Sequence, residues 1–373
     1  MKIKKVFGMK AALRHVIVIV YDGILNSVFE SQVLAPLLSE LEQDEFLEIT
    51  IISFERRLLS SSVLQKKIPA HDRLHFVLAK RMPFFGTLSL KFSLWQLERI
   101  LKIIGGTELR ARGPLAGWLA LRVVEKYLPQ TILIAEQIPY VLVQARGLAA
   151  EEYRYTSERS KRGFIRKLKD WITQKLLHKL EAEVYGYCGL IAQCGRFTIE
   201  AVSIALQEYL IKCFNALPVA VTIAHKDITP RVEGEVVNIW RREKRQELAI
   251  PTNARVYVYS GSFKPWQCAK ETVEEAAVIL QQDATAFFLI LSPDVEAFEQ
   301  ALKFARIDVD RCRVLRVDSN VLTQYLAVAD IGFLLREADI INWVSRPTKM
   351  LEYRAVGLEI VHNNTVGCLA RSE

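Results

Sequence analysis

Three kinds of side chain that can do chemistry together fall within one short C-terminal stretch, Ser345-Arg346-Pro347-Thr348-Lys349-Met350-Leu351-Glu352-Tyr353-Arg354-Ala355-Val356-Gly357. Arg346 and Lys349 put two cations at the start of a short helix, where free N–H groups and the macrodipole already favour an anion such as phosphate. Glu352 follows Lys349 by three residues, so the two share a helix face. A cation and a carboxylate on one face can hold a diphosphate and a sugar hydroxyl. The residues alone also allow a plain salt-bridged helix end, and both readings stand. A second segment, Tyr257-Val258-Tyr259-Ser260-Gly261-Ser262, runs from strand into loop. Gly261 lets backbone approach a ligand closely. Ser262 and Lys264 can add a hydroxyl and a charge to a phosphate cradle, although a Gly-Ser loop can equally be a turn. Gly23, Asn26 and Ser27 follow the apolar run Val16–Tyr21 and read as a capped helix start that can still present N–H groups. Arg112 and Arg146 each precede a glycine at a strand end. Arginine there suits bidentate contact with phosphate or carboxylate, or a structural ion pair.

These residues need a scaffold, and the hydrophobic pattern supplies one. In the C-terminal half, strands are expected at Arg255–Tyr259, Ala286–Leu291, Cys312–Val317, Ile331–Leu335 and Leu358–Val361, with helices between them. Pro347 suits the first turn of the helix before the last strand and Gly357 its left-handed end. Strand-helix alternation implies parallel β-α-β units in a doubly wound sheet. Ligands of such sheets sit at the carboxyl ends of the strands, the edge that carries Gly261, Arg336, Lys349 and Glu352. The N-terminal half alternates too, with strands at Val16–Tyr21, Glu48–Ser53 and Tyr140–Val143 and a helix from Ser27 to about Leu41. Residues 57–88 fit no element and read as an irregular insertion. With 373 residues the chain has room for about two domains of roughly 150 residues. Breaks in periodicity between Leu217 and Arg231 place the boundary there, giving domains 1–217 and 218–373. After the last strand only Asn363 to Glu373 remain, so the expectation is two domains joined mainly by that linker, with a loose hinge.

Charge narrows the partners. Fifty basic against forty-two acidic residues leave a net +8, which suits an anionic ligand or surface. No paired Cys/His zinc spacing and no RNP-like segment is present, which argues against nucleic acid. Six scattered cysteines without a Cys-x-x-Cys pair suggest inert thiols in a reducing, cytoplasmic compartment, with no metal site. No run approaches the ~18 apolar residues of a membrane span. From Lys161 to Leu180, Phe164, Leu168, Trp171, Ile172, Leu176 and Leu180 follow helical spacing beside a basic face. That helix either turns its apolar face inward, the favoured reading, or docks on an anionic membrane.

The motif Pro-x-Lys-x-x-Glu-Tyr-x-Ala-x-Gly followed by a strand resembles the nucleotide-sugar signature of GT-B glycosyltransferases, closest to the family-4 type. The Tyr-Ser-Gly-Ser segment with Trp266-Gln267 is similar to a second family motif. The resemblance implies two Rossmann-like domains facing across a cleft, the second binding a nucleotide-diphosphate sugar and the first the acceptor, a glycan or lipid-linked saccharide. It implies that Glu352 holds the donor ribose and that Gly261, Ser262, Lys264, Arg336 and Lys349 face the donor phosphates. Gly23, Asn26, Ser27, Arg112 and Arg146 would lie on the loop and acceptor side. It implies retention of anomeric configuration, no cofactor and no metal. The chain departs from the family in three places. Val344 stands where many members have a second Glu, Leu358-Glu359 replaces a small residue and Pro, and Gln144 replaces an Asp before Arg146-Gly147. Arg336 matches a variant in which an Arg after the preceding strand takes the missing Glu's place. No catalytic nucleophile or base is identified. Two alternatives remain: a sugar-nucleotide 2-epimerase-like isomerase, for which His15, His225 and His362 form no evident motif, and a non-catalytic nucleotide-sugar-binding protein. Donor sugar, acceptor and oligomeric state are not encoded in these patterns.

Overall fold

A computed structural model describes residues 14–26, 29–57, 59–60, 64, 67–127, 138–159, 163–224 and 231–371. The chain is mixed α/β and divides into two compact units, Met1–Asp227 and Ile228–Glu373.

In chain order the first unit comprises β1 (Arg14–Val20), α1 (Ala35–Gln43), β2 (Leu47–Glu55), β3 (Leu74–Lys80), α2 (Thr87–Ile104), β4 (Glu108–Arg112), α3 (Gly113–Tyr127), β5 (Tyr140–Ala145), α4 (Ala149–Glu158), α5 (Phe164–Tyr185), α6 (Leu190–Gln193), β6 (Phe197–Ala201), α7 (Ile204–Phe214) and β7 (Val221–Ile223). The strands form one sheet in the order β3-β2-β1-β4-β5-β6-β7, and every pairing is parallel. Chain direction across the sheet reverses between β1 and β4, so the crevice outside their carboxyl ends is the topological switch point. β1 is buried from Val16 to Val20, as expected of a strand covered on both faces. Val16, Val18 and Val20 share one core cluster with Leu37 and Leu41 of α1. Gly117 lets α3 lie close to its neighbours, because a Cβ there would come within 2.8 Å of Val184 and 3.1 Å of Val143.

The second unit runs α8 (Gly234–Glu247), β8 (Arg255–Ser260), α9 (Ala269–Gln282), β9 (Ala286–Leu291), α10 (Val295–Phe304), β10 (Cys312–Leu315), α11 (Leu322–Leu326), β11 (Ile331–Leu334), α12 (Ile340–Trp343), α13 (Thr348–Ala355), β12 (Glu359–His362) and α14 (Gly367–Ala370). Its sheet order is β10-β9-β8-β11-β12, all parallel, with the switch point between β8 and β11. Alternate residues of β8 feed opposite faces: Val256 and Val258 join one core, Tyr257 and Tyr259 the other. Arg245 of α8 pins that helix to the sheet through Val328 O, Thr252 O and Ala254 O and the Asp330 carboxylate at 3.0 Å.

Several sequence expectations change. The stretch read as an irregular insertion contains β3, an edge strand whose inward residues are few: only Leu74 and Ala79 are fully buried, so its periodicity is faint. β7 pairs with β6, so the first unit extends past residue 217 and ends at Asp227, within the 217–231 segment where periodicity breaks. The helix expected from Ser27 opens as a π-helical turn, Glu30–Leu34, before α1 continues to Gln43. Ser27 lies outside the described residues, as do His225 and most of the 217–231 segment after Ala224. The C-terminal residues form α14, whose Cys368 and Leu369 join the second unit's own core. In α5 the inward-facing reading holds only for the second half. Leu177, Leu180, Val184 and Tyr185 are buried, while Ile165, Leu168, Trp171 and Ile172 are exposed.

Candidate functional site

In the second unit, the loops after β8 and β11 meet the start of α13 at the switch point. Gly261 has φ +136°, and a Cβ there would lie 2.6 Å from Lys349 Nζ and 2.8 Å from Gln267 Oε1. Only glycine fits both the backbone and the space. Lys349 therefore lies along the loop backbone, buried, donating to Gln267 Oε1 at 2.8 Å, with Nζ 4.0 Å from the centre of the Tyr259 ring. Burial first, and then the neighbouring Arg336, push its ammonium well below the usual lysine range, opposed by Glu352. Burial also lowers Arg336, and it raises Glu352 against the pull of Lys349. A desolvated cluster of two cations and one carboxylate is short of negative charge, and a bound phosphate would supply it.

Tyr353 fixes this arrangement from below. Its hydroxyl accepts from Ser260 N–H at 3.0 Å and donates to Phe333 O at 3.3 Å, so it ties the ends of β8 and β11 to α13. The strand end at Arg336 is clamped in turn by Asn363, which accepts from Arg336 N–H and donates to Arg336 O. Ser262 is held by Gln267, whose Nε2 donates to Ser262 Oγ at 3.3 Å. Of the residues expected on the donor side, Gly261, Ser262, Arg336, Lys349 and Glu352 share this edge. Lys264 is exposed on the same loop, with Nζ 4.9 Å from the centre of the Trp266 ring.

The first unit holds a separate cavity of about 490 Å³ at its own carboxyl edge. Asp22, Asn26, Arg112 and Arg146 line it, joined by Arg56, Arg81 and Glu152. Gly23 is buried behind this lining at φ +83°, where its missing Cβ makes room for the Glu55 carboxylate. Glu55 accepts from Ile24 N–H at 2.9 Å and so holds the loop after β1. Arg112 donates to Gln32 Oε1 at 2.6 Å and stands 4.0 Å from Asp22, which also receives the Asn26 amide. Arg146 lies 3.8 Å from Glu200, which also takes a 3.1 Å bond from Gln144. Gln144 is thus engaged beneath the arginines, away from any acid or base role visible in the geometry. Glu152 lines the cavity, and the enclosure of its carboxyl there, followed by the charge of Asp22, raises it above the usual carboxylate range.

Glu181 of α5 caps α4, accepting from Ala149 N–H at 2.6 Å and Ala150 N–H at 3.4 Å. Burial, helped by Glu152 and Glu151 and opposed by those backbone bonds, pushes it up to about 8 from an ordinary 4.5. The folded state therefore holds this proton more tightly than the unfolded chain. Its stability contribution is complete below the unfolded value and is lost as pH rises towards 8. Urea midpoints should fall between pH 5 and 8, with a slope of at most about 1.4 kcal/mol per pH unit. Glu181→Gln should flatten that slope, and an equally steep slope in the variant would refute the assignment.

Arg56, Arg81 and Tyr353 were not singled out from sequence. Tyr353 stood inside the quoted motif, but its bracing role depends on three elements meeting. Arg56 and Arg81 had one usable signal, a basic residue one charged position past an apolar run, Glu55 and Lys80 intervening, and for Arg81 the run itself was missed. Among the described residues no three His, Cys, Asp or Glu side chains gather as a metal site, and every cysteine is a free thiol.

No protein-family model matches the chain, and no curated protein matches it in sequence. Solved structures do match its fold. Sucrose-phosphate synthase from Thermosynechococcus elongatus superposes with a TM-score of 0.65 at 12% identity, covering 96% of this chain and 83% of that one. A glycosyltransferase from Rickettsia africae gives 0.60 at 12%, covering 96% and 81%. HepE from Anabaena, solved in complex with UDP and glucose, gives 0.59 at 10%, covering 96% and 83%. The fold of this chain is therefore that of the GT-B glycosyltransferases, two Rossmann-like units in one chain.

Proposed function

We propose that this protein is a glycosyltransferase that moves a sugar from a nucleotide-diphosphate sugar to a hydroxyl acceptor. The observation that carries this reading is the cluster at the second unit's switch point. Arg336 and Lys349 are desolvated cations beside a glycine loop, and Glu352 stands one helical turn along α13. The pattern suits a diphosphate flanked by a ribose. The cations would stabilise the leaving diphosphate electrostatically, the role a metal ion plays elsewhere, so the reading is of a metal-independent transfer. No carboxylate is placed as a nucleophile, which accords with a retaining, same-face attack. The first unit's cavity is the acceptor side. The exposed face of α5, with Leu168, Trp171 and Ile172 between Lys167, Lys169 and Lys175, suits peripheral docking on an anionic membrane at the cytoplasmic side. Among the described residues no helix is long and apolar enough to cross a membrane.

Glu352→Ala tests the donor reading. A charge-assisted bond to a ribose hydroxyl contributes about 1.5–3 kcal/mol, so donor affinity should drop roughly ten- to a hundredfold. Thermal shift against UDP-, GDP- and ADP-sugars identifies the donor, and calorimetry measures the variant. Unchanged affinity would remove Glu352 from the site. Failure of all three donor classes to bind the wild type would overturn the function.

A further inference from the structure

The first unit's cavity carries a pattern that donor binding in the second unit does not use. Four arginines stand at the carboxyl ends of four strands of one sheet. Arg81 directly follows β3, Arg56 directly follows β2, Arg112 ends β4 and Arg146 directly follows β5. Parallel register brings these ends level: Glu55 pairs with Lys80, Val20 with both Ser53 and Arg112, and Arg112 with Gln144. All four guanidinium-bearing residues line the one cavity.

Arg112 has Asp22 at 4.0 Å and Arg146 has Glu200 at 3.8 Å, whereas the charges of Arg56 and Arg81 are not matched in this way. Among the described residues neither Arg56 nor Arg81 has a carboxylate within ion-pair distance. Arg81 Nη1 donates to Tyr21 O and its guanidinium lies 5.5 Å from the centre of the Tyr21 ring, yet its buried Nε has no hydrogen-bond partner among the described residues. Two carboxylates, Asp22 and Glu152, face the same space. Convergent, like-charged guanidinium groups are costly to hold together unless an anion joins them. The α3 N-terminus adds to this, since Gly113 and Leu115 line the cavity beside Arg112. By contrast, the first N–H groups of α4 are already taken by Glu181.

We propose that this cavity binds a phosphate-bearing acceptor, a phosphomonoester or diphosphate, through Arg56, Arg81, Arg112 and Arg146. Phosphate fits better than carboxylate because several guanidinium forks need three or more terminal oxygens and nearly two negative charges. The apolar part of the lining, Met82, Phe84, Leu115 and Leu177, provides a wall for the remainder of the molecule. This inference rests on the proposed function for the word acceptor; the anion site itself does not depend on it.

The test is calorimetric titration of the full chain with glucose 6-phosphate and with geranyl diphosphate, with glucose and glucuronate as controls. Saturable binding of either phosphate compound, with no binding of the controls, is expected. Preference between the two tells a water-soluble acceptor from a prenyl-linked one. Arg81→Ala and the exposed Arg56→Ala should each weaken that binding about tenfold or more, as loss of a charge-assisted contact does, while Glu352→Ala should leave it unchanged. No binding of either compound, equal binding of glucuronate, or binding that nucleoside diphosphates displace competitively would overturn the proposal. Should none of the UDP-, GDP- and ADP-sugars bind the wild type while the arginine variants still lose phosphate binding, the donor reading fails and this one stands.

Discussion

Lys349→Met is expected to leave the protein as stable as the parent, or more stable, while removing high-affinity donor binding. Lys349 is buried and its ammonium is pushed well below the lysine range by burial and by Arg336. The folded state therefore binds this proton less tightly than the unfolded chain does. That costs stability at neutral pH, and the cost fades as pH rises towards the ordinary lysine value. Methionine fills similar volume without the charge, and Gln267 Oε1 keeps the Tyr259 hydroxyl at 3.1 Å as its partner. Thermal stability should be unchanged or raised by as much as ~2 kcal/mol. Donor binding should respond in the opposite sense. A desolvated cation beside a diphosphate contributes about 2–5 kcal/mol, roughly thirtyfold to several thousandfold in affinity. The bound anion would also favour the charged form of the lysine, so any proton linked to donor binding should be taken up rather than released. Calorimetry in two buffers of different ionisation enthalpy reads this directly. Affinity should fall with rising pH in the parent and be flat in the variant. A variant that binds donor normally, or one that is clearly less stable, would mean that Lys349 is a structural residue.

That opposition between stability and binding explains which parts of the site were legible in the chain. Gly261 follows β8, and Lys349 and Glu352 stand on α13, in a unit whose strands carry clear apolar runs such as Ala286–Leu291, so their common edge followed from topology. Spacing makes Lys349 a cation at a helix start, facing a phosphate or held in a salt bridge, and says nothing of its depth. Its burial depends on the absent Cβ at Gly261 and on Gln267, contacts that no spacing reveals. In the first unit the topology was harder to see. β3 buries few residues and its neighbours are basic, so the edge strand passed for an insertion and Arg81 had no strand end to belong to. Arg112 and Arg146 were noticed because a glycine follows each. Arg56 and Arg81 lack that mark and gain meaning only when parallel register sets four strand ends side by side. In α5, helical periodicity was correct but could not say that the apolar stripe is covered in one half and open in the other. What covers a face is decided by other segments of the chain.

Gly261→Val should abolish donor binding by acting through Lys349, and it should cost stability where Lys349→Met does not. At φ +136° a β-branched residue is strained by about 1–3 kcal/mol, which should appear as a lowered melting temperature. The new Cβ would sit 2.6 Å from Cε and Nζ of Lys349. These atoms end a flexible side chain, so the lysine is displaced and the unit still folds. Displacing the ammonium removes the same charge from the donor site that methionine removes, and the loss of affinity should be of the same size. The double variant separates the routes. If valine acts by moving Lys349, adding Gly261→Val to Lys349→Met should lower donor affinity by less than about threefold further, because contacting residues are not additive. The stability cost of the backbone strain should persist in full in that background. Affinity losses that simply add would show that the Gly261 backbone itself contacts the donor, and that the lysine is only its neighbour.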